Sequence, residues 1–441
     1  MGVWEYGRTG GWEYGSVGVW EYGSMGGEGA SDPSPIQNLK SKTIMTKALF
    51  FSLPLHGHIN PALPLVRELV SRGDEIVFYA AAPFAEKIEQ TGAQYRPYRN
   101  AFLSEITQVP ERLDQLSWLL TRTTADVLAN ELDSFRAETP DYLVTDSFAP
   151  WGQWLAEILG LPAVTSVPTF AFNRRVMAFG FAHGVRPRSG RSLLTKMRHM
   201  GKALLLRKRL RRCYGVRGPA AMGLVFGRSN LNIVYTSQLF QPCAETFDDT
   251  FKFVGPSITP RIETVEVPWE AVGHPVVVYI SLGTLFNTDT TFYRKCFEAF
   301  NREDLQIVMS VGASVSPESL GPVPPNFIVQ SYVPQLEVLA RASAFVTHGG
   351  MNSVSESFFH GVPVVVIPQM GEQEIVGRRV EDLGAGLYLA KEEVTAEKLR
   401  DAVRRLLAEE RFRRQTELVR ESFESAGGVA RAADIIKSFT E

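Results

Sequence analysis

Ala48-Leu49-Phe50-Phe51-Ser52-Leu53 runs on through Pro54-Leu55-His56-Gly57-His58-Ile59-Asn60 into Pro61 to Ser71, where apolar residues recur at helical spacing. The first run reads as a buried strand and the second as an amphipathic helix laid against it. Outward from there the pattern repeats. Glu75 to Ala80 reads as a strand, Pro83 to Gln90 as a helix, and Tyr142 to Thr145, Trp151 to Leu159 and Ala163 to Val167 as strand, helix and strand. After the Gly- and Pro-punctuated segment Val254 to Gly273 a second cycle begins, with Val276 to Ser281, a helix through Phe292 to Phe300, Gln306 to Val311, Ala344 to Thr347 and Val364 to Ile367. Such alternation requires parallel sheets with helices on both faces.

The chain has 441 residues, more than one hydrophobic core usually supports. The expected architecture is therefore α/β, with two Rossmann-like, doubly wound domains at 45–255 and 274–441 joined by a linker at 256–273. A cleft between them is the natural ligand site, and the last helix is free to return to the N-terminal domain. Residues 1–44 repeat Trp4-Glu5-Tyr6-Gly7, Trp12-Glu13-Tyr14-Gly15 and Trp20-Glu21-Tyr22-Gly23 and then turn rich in Gly, Ser and Pro. So little aliphatic content cannot build a core, and the segment is expected to be a disordered extension, with Met45 as the functional start.

A net charge of -2 gives no reason to expect nucleic acid as a partner. The three cysteines, Cys213, Cys243 and Cys296, are widely spaced and odd in number, as in a reduced compartment, so a cytoplasmic location is expected. No apolar stretch approaches the ~20 residues of a membrane-spanning helix.

The most informative chemistry lies near Thr347-His348-Gly349-Gly350-Met351-Asn352-Ser353, where an apolar strand enters a glycine turn and then a helix. Free backbone N–H groups and the positive helix end meet there at a strand's carboxyl edge, where a diphosphate would sit. His348 and Ser353 can donate to its oxygens, Gly350 lets the backbone approach it, and Glu356 one turn on can accept from ribose hydroxyls. A plain turn with a helix cap explains the same glycines.

Taken with Tyr332-Val333-Pro334-Gln335, Gly361-Val362-Pro363 and Pro368-Gln369-Met370-Gly371-Glu372-Gln373, the stretch resembles the nucleotide signature of inverting UDP-glycosyltransferases with the GT-B fold, particularly bacterial macrolide-type enzymes. The resemblance runs from Met45 onward. It implies that Tyr332 stacks on uracil, that the Val333 backbone reads the base edge, and that Gln335 and Glu356 hold the ribose. It places Asn352 with His348 and Ser353 at the donor, and Glu372 and Gln373 on the sugar hydroxyls, which favours glucose-like donors. Thr284 matches a further phosphate donor, although its turn also suits a simple helix cap. Tyr332 departs from plant relatives, which usually carry tryptophan there.

His56 and His58 compete for the role of general base at the end of the first strand, in a glycine-bracketed loop. Asp146 follows the strand Tyr142 to Thr145, and parallel strands would bring it to the same rim as the histidines; a helix N-cap is the alternative use. The resemblance selects His58 and Asp146 as the catalytic dyad. It implies a single displacement in which the acceptor hydroxyl, deprotonated by His58, attacks the anomeric carbon with inversion. Metal-dependent transferases usually carry Asp-x-Asp, which does not occur in this chain, so no metal and no cofactor are expected beyond the UDP-sugar co-substrate.

The acceptor is expected in N-domain loops around Phe102 to Leu120 and Phe170 to Phe226, with Phe102, Phe170, Phe172 and Met177 as candidate walls for a small hydrophobic hydroxylated molecule such as a flavonoid, macrolide or other polyketide. Such aromatics equally suit plain core. From Phe170 to Asn230 there is no Asp or Glu, and Leu193, Met197, Met200 and Leu204 form a helical seam among Lys196, Lys202, Arg207, Lys208, Arg209, Arg211 and Arg212. Three readings fit: a solvated face whose seam meets the core, peripheral contact of 192–212 with anionic lipid, or an acidic acceptor. A lipid- or sterol-directed transferase, a UDP-sugar epimerase and a non-catalytic sugar-nucleotide binding module are the alternatives to the leading reading.

Overall fold

The computed structural model describes residues 3–6, 12–15, 46–105, 110, 112–185, 193–219, 227–261, 265–283, 289–301 and 304–441. The chain divides into two compact units, Met1–Ile44 and Met45–Glu441. In the first, β1 (Val3–Tyr6) pairs antiparallel with β2 (Trp12–Gly15), with Trp4 opposite Tyr14.

The second unit holds two parallel sheets. The first comprises β3 (Lys47–Phe51), β4 (Glu75–Ala80), β5 (Gln94–Pro97), β6 (Tyr142–Asp146), β7 (Ala163–Val167), β8 (Leu231–Val234) and β9 (Phe251–Phe253), in the order β5-β4-β3-β6-β7-β8-β9. The second comprises β10 (Val277–Ser281), β11 (Gln306–Ser310), β12 (Phe327–Gln330), β13 (Ala342–Thr347), β14 (Val364–Val366) and β15 (Gly386–Tyr388), in the order β12-β11-β10-β13-β14-β15. In both sheets the chain first winds to one side and then reverses, so β3/β6 and β10/β13 are switch points. At a switch point adjacent loops diverge and leave a crevice at the strands' carboxyl ends.

Helices cover both faces. In the first half they are α1 (His56–Ser71), α2 (Ala85–Glu89), α3 (Ala101–Glu105), α4 (Leu113–Ala137), α5 (Pro150–Leu159), α6 (Arg174–Ala182) and α7 (Leu193–Tyr214). In the second they are α8 (Thr290–Phe300), α9 (Gln335–Leu339), α10 (Met351–Phe359), α11 (Gly371–Asp382), α12 (Ala396–Ala408), α13 (Glu410–Ser425) and α14 (Gly428–Thr440). The last of these crosses back: Ala432, Ala433 and Ile436 share a core with Ala48, Phe50, Ile59 and Tyr142 of the first sheet. Lys437 adds an ion pair to the buried carboxylate of Asp74. The two halves also meet where Arg379 donates to the carbonyls of Leu239 and Phe240, at 2.7 and 3.2 Å, and where Ser237 and Ser422 share a hydrogen bond of 2.8 Å.

The structure revises two local expectations. Helix α1 begins at His56 and not at Pro61, so the histidines lie in its first turn and not in a loop. On α7 the apolar seam does not meet the core: Met197, Met200 and Leu204 are exposed, while Ala203, Arg207 and Leu210 turn inward against α4. Among the described residues no helix is long and apolar enough to cross a membrane.

Candidate active site

β3 and β6 are neighbours, with Phe51 beside Thr145, so the first turn of α1 and the end of β6 share one rim. There His58 Nδ1 lies 2.8 Å from Asp146 Oδ2. Asp146 is buried; its Oδ1 accepts from the backbone N–H of Phe148 at 2.6 Å, and Ser52 Oγ approaches its Oδ2 at 3.4 Å. The carboxylate is thereby fixed in orientation and holds the imidazole by one nitrogen, leaving Nε2 as the free one. The Phe148 ring packs edge-on against His58 with centroids 5.1 Å apart. Burial acts to lower the His58 pKa, but the charge and hydrogen bond of Asp146, with a smaller contribution from Glu372, outweigh it and hold the imidazole above its ordinary value. His56 makes no such pair and sits edge-on to Phe84 with centroids 4.9 Å apart.

The second switch point carries His348. Burial lowers its pKa to about 4, partly opposed by a hydrogen bond to the Ser281 backbone. The ring is therefore neutral at pH 7, with its one N–H given to the Ser281 carbonyl and its other nitrogen an acceptor. Gly349 has φ 82°, and a Cβ at Gly350 would lie 2.4 Å from His348 Nε2, so the ring's place depends on glycine following it. Helix α10 starts directly after, with Gly350 as an N-cap that offers no side chain. Among the described residues no side chain caps its first-turn N–H groups, and Asn352 and Ser353 stand beside them. Thr284 lies outside the described residues.

Tyr332 is largely exposed after β12, while Val333 is buried beneath it. Gln335 Nε2 donates to Glu356 Oε2 at 2.6 Å, and Tyr279 Oη donates to Gln335 Oε1 at 3.3 Å. Glu356 also forms an ion pair with Arg261. Arg261 belongs to the segment linking the two sheets; sequence reasoning passed over it because nothing local marks a linker arginine as the partner of a distant carboxylate. Glu372 opens α11 and interacts electrostatically with His58 and Asp146; burial raises its pKa, which His58 opposes and Asp146 reinforces. Gln373 is less free than the sequence suggests. Its Oε1 accepts from the N–H groups of Gln369 and Met370, at 2.8 and 3.2 Å, and so closes the N-terminus of α11, leaving only its NH₂ for a ligand.

Of the acceptor candidates, Phe170 is withdrawn as a pocket wall. It is 1% exposed, and its ring packs on Phe240 at 5.3 Å in a core shared with the second sheet. Phe102, Phe172 and Met177 are half-buried: Phe102 rests on the first-sheet core, Phe172 on the shared core, and Met177 lies on α6.

The two rims face each other through a direct contact. Asn352 Nδ2, on the first turn of α10, donates to the carbonyl of Gly57, on the first turn of α1, at 3.1 Å. Two Rossmann-like parallel sheets, with a histidine–carboxylate pair on one rim and a glycine turn running into a helix on the other, are the arrangement of a GT-B transferase.

Comparison with known proteins agrees. Residues 294–436 match the family described as "Erythromycin biosynthesis protein CIII-like, C-terminal domain". The chain is 36% identical over 400 residues to the NDP-glycosyltransferase YjiC of Bacillus licheniformis, covering 88% of this chain and 96% of that protein. It is 33% identical over 397 residues to the uncharacterized UDP-glucosyltransferase YojK of Bacillus subtilis, covering 89% of this chain and 97% of that protein. Among solved structures, the calicheamicin glycosyltransferase CalG4 superposes with a TM-score of 0.73 at 30% identity, over 90% of this chain and 98% of that one. The chain belongs to this family of GT-B glycosyltransferases and is a hexosyltransferase-class enzyme.

Proposed function

We propose that the protein transfers a hexose, glucose in the first instance, from a UDP-sugar to a hydroxyl of a small hydrophobic acceptor such as a flavonoid, a macrolide or another polyketide. The observation that carries this reading is the 2.8 Å pairing of His58 with buried Asp146, directly across the Asn352–Gly57 contact from His348. The UDP-glucosyltransferase name of the Bacillus subtilis relative supports the donor.

In this mechanism His58 Nε2 takes the proton of the acceptor hydroxyl while Asp146 stabilises the imidazolium that forms. The acceptor oxygen bonds to the anomeric carbon as the bond from that carbon to the β-phosphate oxygen breaks on the opposite face, giving inversion. Negative charge grows on UDP, and in this reading Ser353 and the helix end of α10 receive it, while His348, whose one N–H goes to the Ser281 carbonyl, shapes the turn. That donor set is the reason for proposing transfer without a metal. Tyr332 stacks on the base, the Val333 backbone reads its edge, Gln335 and Glu356 take the ribose, and Glu372 with the free amide of Gln373 takes the sugar hydroxyls.

The test is UDP release from UDP-glucose, with mass spectrometry of the products, across flavonols, macrolides, sterols and diacylglycerol. Hexose-shifted products that vanish in His58→Ala are expected. UDP-glucose binding without transfer to any acceptor, or transfer that survives His58→Ala, would overturn the reading.

A further inference from the structure

We propose that helix α7 is a docking surface for an anionic lipid membrane. Its outward face combines two features that soluble surfaces usually keep apart. Met197 is 62% exposed and Leu205 71%, with Met200 and Leu204 also more than half exposed. Met197, Met200 and Leu204 are spaced i, i+3 and i+7 and so form one stripe along the helix. Around and beyond that stripe stand Arg198, Lys208, Arg209, Arg211 and Arg212, all exposed, and the 22-residue helix carries no acidic residue. Among the described residues none of these five cations forms an ion pair.

The opposite face of the helix is anchored. His199 Nδ1 lies 2.9 Å from Asp114 Oδ2 on α4, and Lys202 sits over the Trp118 ring at 5.7 Å. Arg207 is buried and donates to the Pro219 carbonyl, and the turn that follows α7 is held by Glu157, which accepts from the N–H groups of Arg217 and Gly218 at 2.6 and 2.7 Å. The exposed stripe is therefore presented by a fixed helix with its inward partners already chosen.

Charge complementarity selects the occupant. A second copy of the same face would set like charges against each other, and an acidic protein would account for the cations but not for four exposed large apolar side chains. A bilayer with anionic headgroups satisfies both: methionine and leucine enter the acyl boundary while Lys and Arg extend their charged ends to the phosphates. Polarity along the helix fits the same picture. α4 descends from the carboxyl rim of the first sheet towards the start of β6, and His199 pairs with its first turn. The methionine-bearing half of α7 thus lies at the end of the domain that carries His58 and Asp146.

The experiment is co-sedimentation of the full chain with vesicles of phosphatidylcholine alone or with added phosphatidylglycerol, at low and high salt. Binding is expected only with phosphatidylglycerol, weakened by salt. The pair Lys208→Glu and Arg212→Glu should lower the partition coefficient about tenfold or more, and Met197→Ser with Leu205→Ser should do so as well. UDP affinity, measured on the same samples by calorimetry, should not change, which separates this proposal from the transfer reading. As an independent readout, Leu205→Trp should shift its emission to the blue on adding anionic vesicles. No sedimentation with phosphatidylglycerol, or no emission shift, would overturn the proposal. So would binding that ignores the Met/Leu substitutions, since that is mere attraction of a polyanion to a basic helix, or self-association of the free protein through α7 in sedimentation velocity.

Discussion

Asn352 on α10 donates to the carbonyl of Gly57 on α1, at 3.1 Å, and in doing so supplies the partner that α1 itself lacks. The residue four positions beyond Gly57 is Pro61, which has no N–H to close the helical bond. An acceptor left open by one proline is thus used to tie the rim that carries His58 to the rim that carries His348.

From this contact, Asn352→Ala should cost about 1 kcal/mol. Asn352→Asp should cost more, because a carboxylate facing a carbonyl repels where the amide donated. Differential scanning calorimetry of the two variants checks the order; equal melting temperatures in both variants and the parent would remove the contact from any role in stability.

The pH profile of transfer should follow His58. Its pKa stands above the ordinary 6.5, and the base works only when neutral, so kcat/KM should rise with pH through a value above 6.5 and then level off. In Asp146→Asn the burial that lowers the pKa is no longer outweighed, so the rising limb should move to lower pH while the plateau falls roughly 10²- to 10⁴-fold. A limb that stays in place would assign the titration to another group.

UDP binding should respond to the other rim. His348→Ala is expected to weaken it by about tenfold or more, because the glycine turn loses the ring packed against it, while His58→Ala leaves it nearly unchanged. Gly350→Ala should resemble His348→Ala, because its new Cβ falls 2.4 Å from His348 Nε2 and displaces the ring. Isothermal titration with UDP compares all three, and the reverse pattern would exchange the roles of the two histidines.

Turnover in EDTA should equal turnover without it, since in the proposed mechanism the helix end of α10 and Ser353 meet the departing diphosphate. A loss restored by a divalent cation would show that these donors do not suffice.

Strand–helix alternation was readable from Ala48 onward because it rests on local periodicity: apolar runs such as Ala48 to Leu53 and Val364 to Ile367 can hardly be anything but buried parallel strands. The His-Gly-Gly turn was readable for a similar reason, since a glycine pair between a strand and a helix constrains the backbone wherever the rest of the chain goes. Other features depend on partners far away in the chain. Nothing near Arg261 announces Glu356, nothing near Phe170 announces Phe240, and Gln373 could not be known to spend its oxygen on the N-terminus of α11. On α7 the seam was visible in the sequence but its direction was not, because one amphipathic pattern serves a buried stripe and an exposed one equally. Sequence by itself determined the elements and the chemistry available at their ends. Only the tertiary structure decided which ends meet, because burial, pKa and hydrogen-bond partnership arise between segments and not within them.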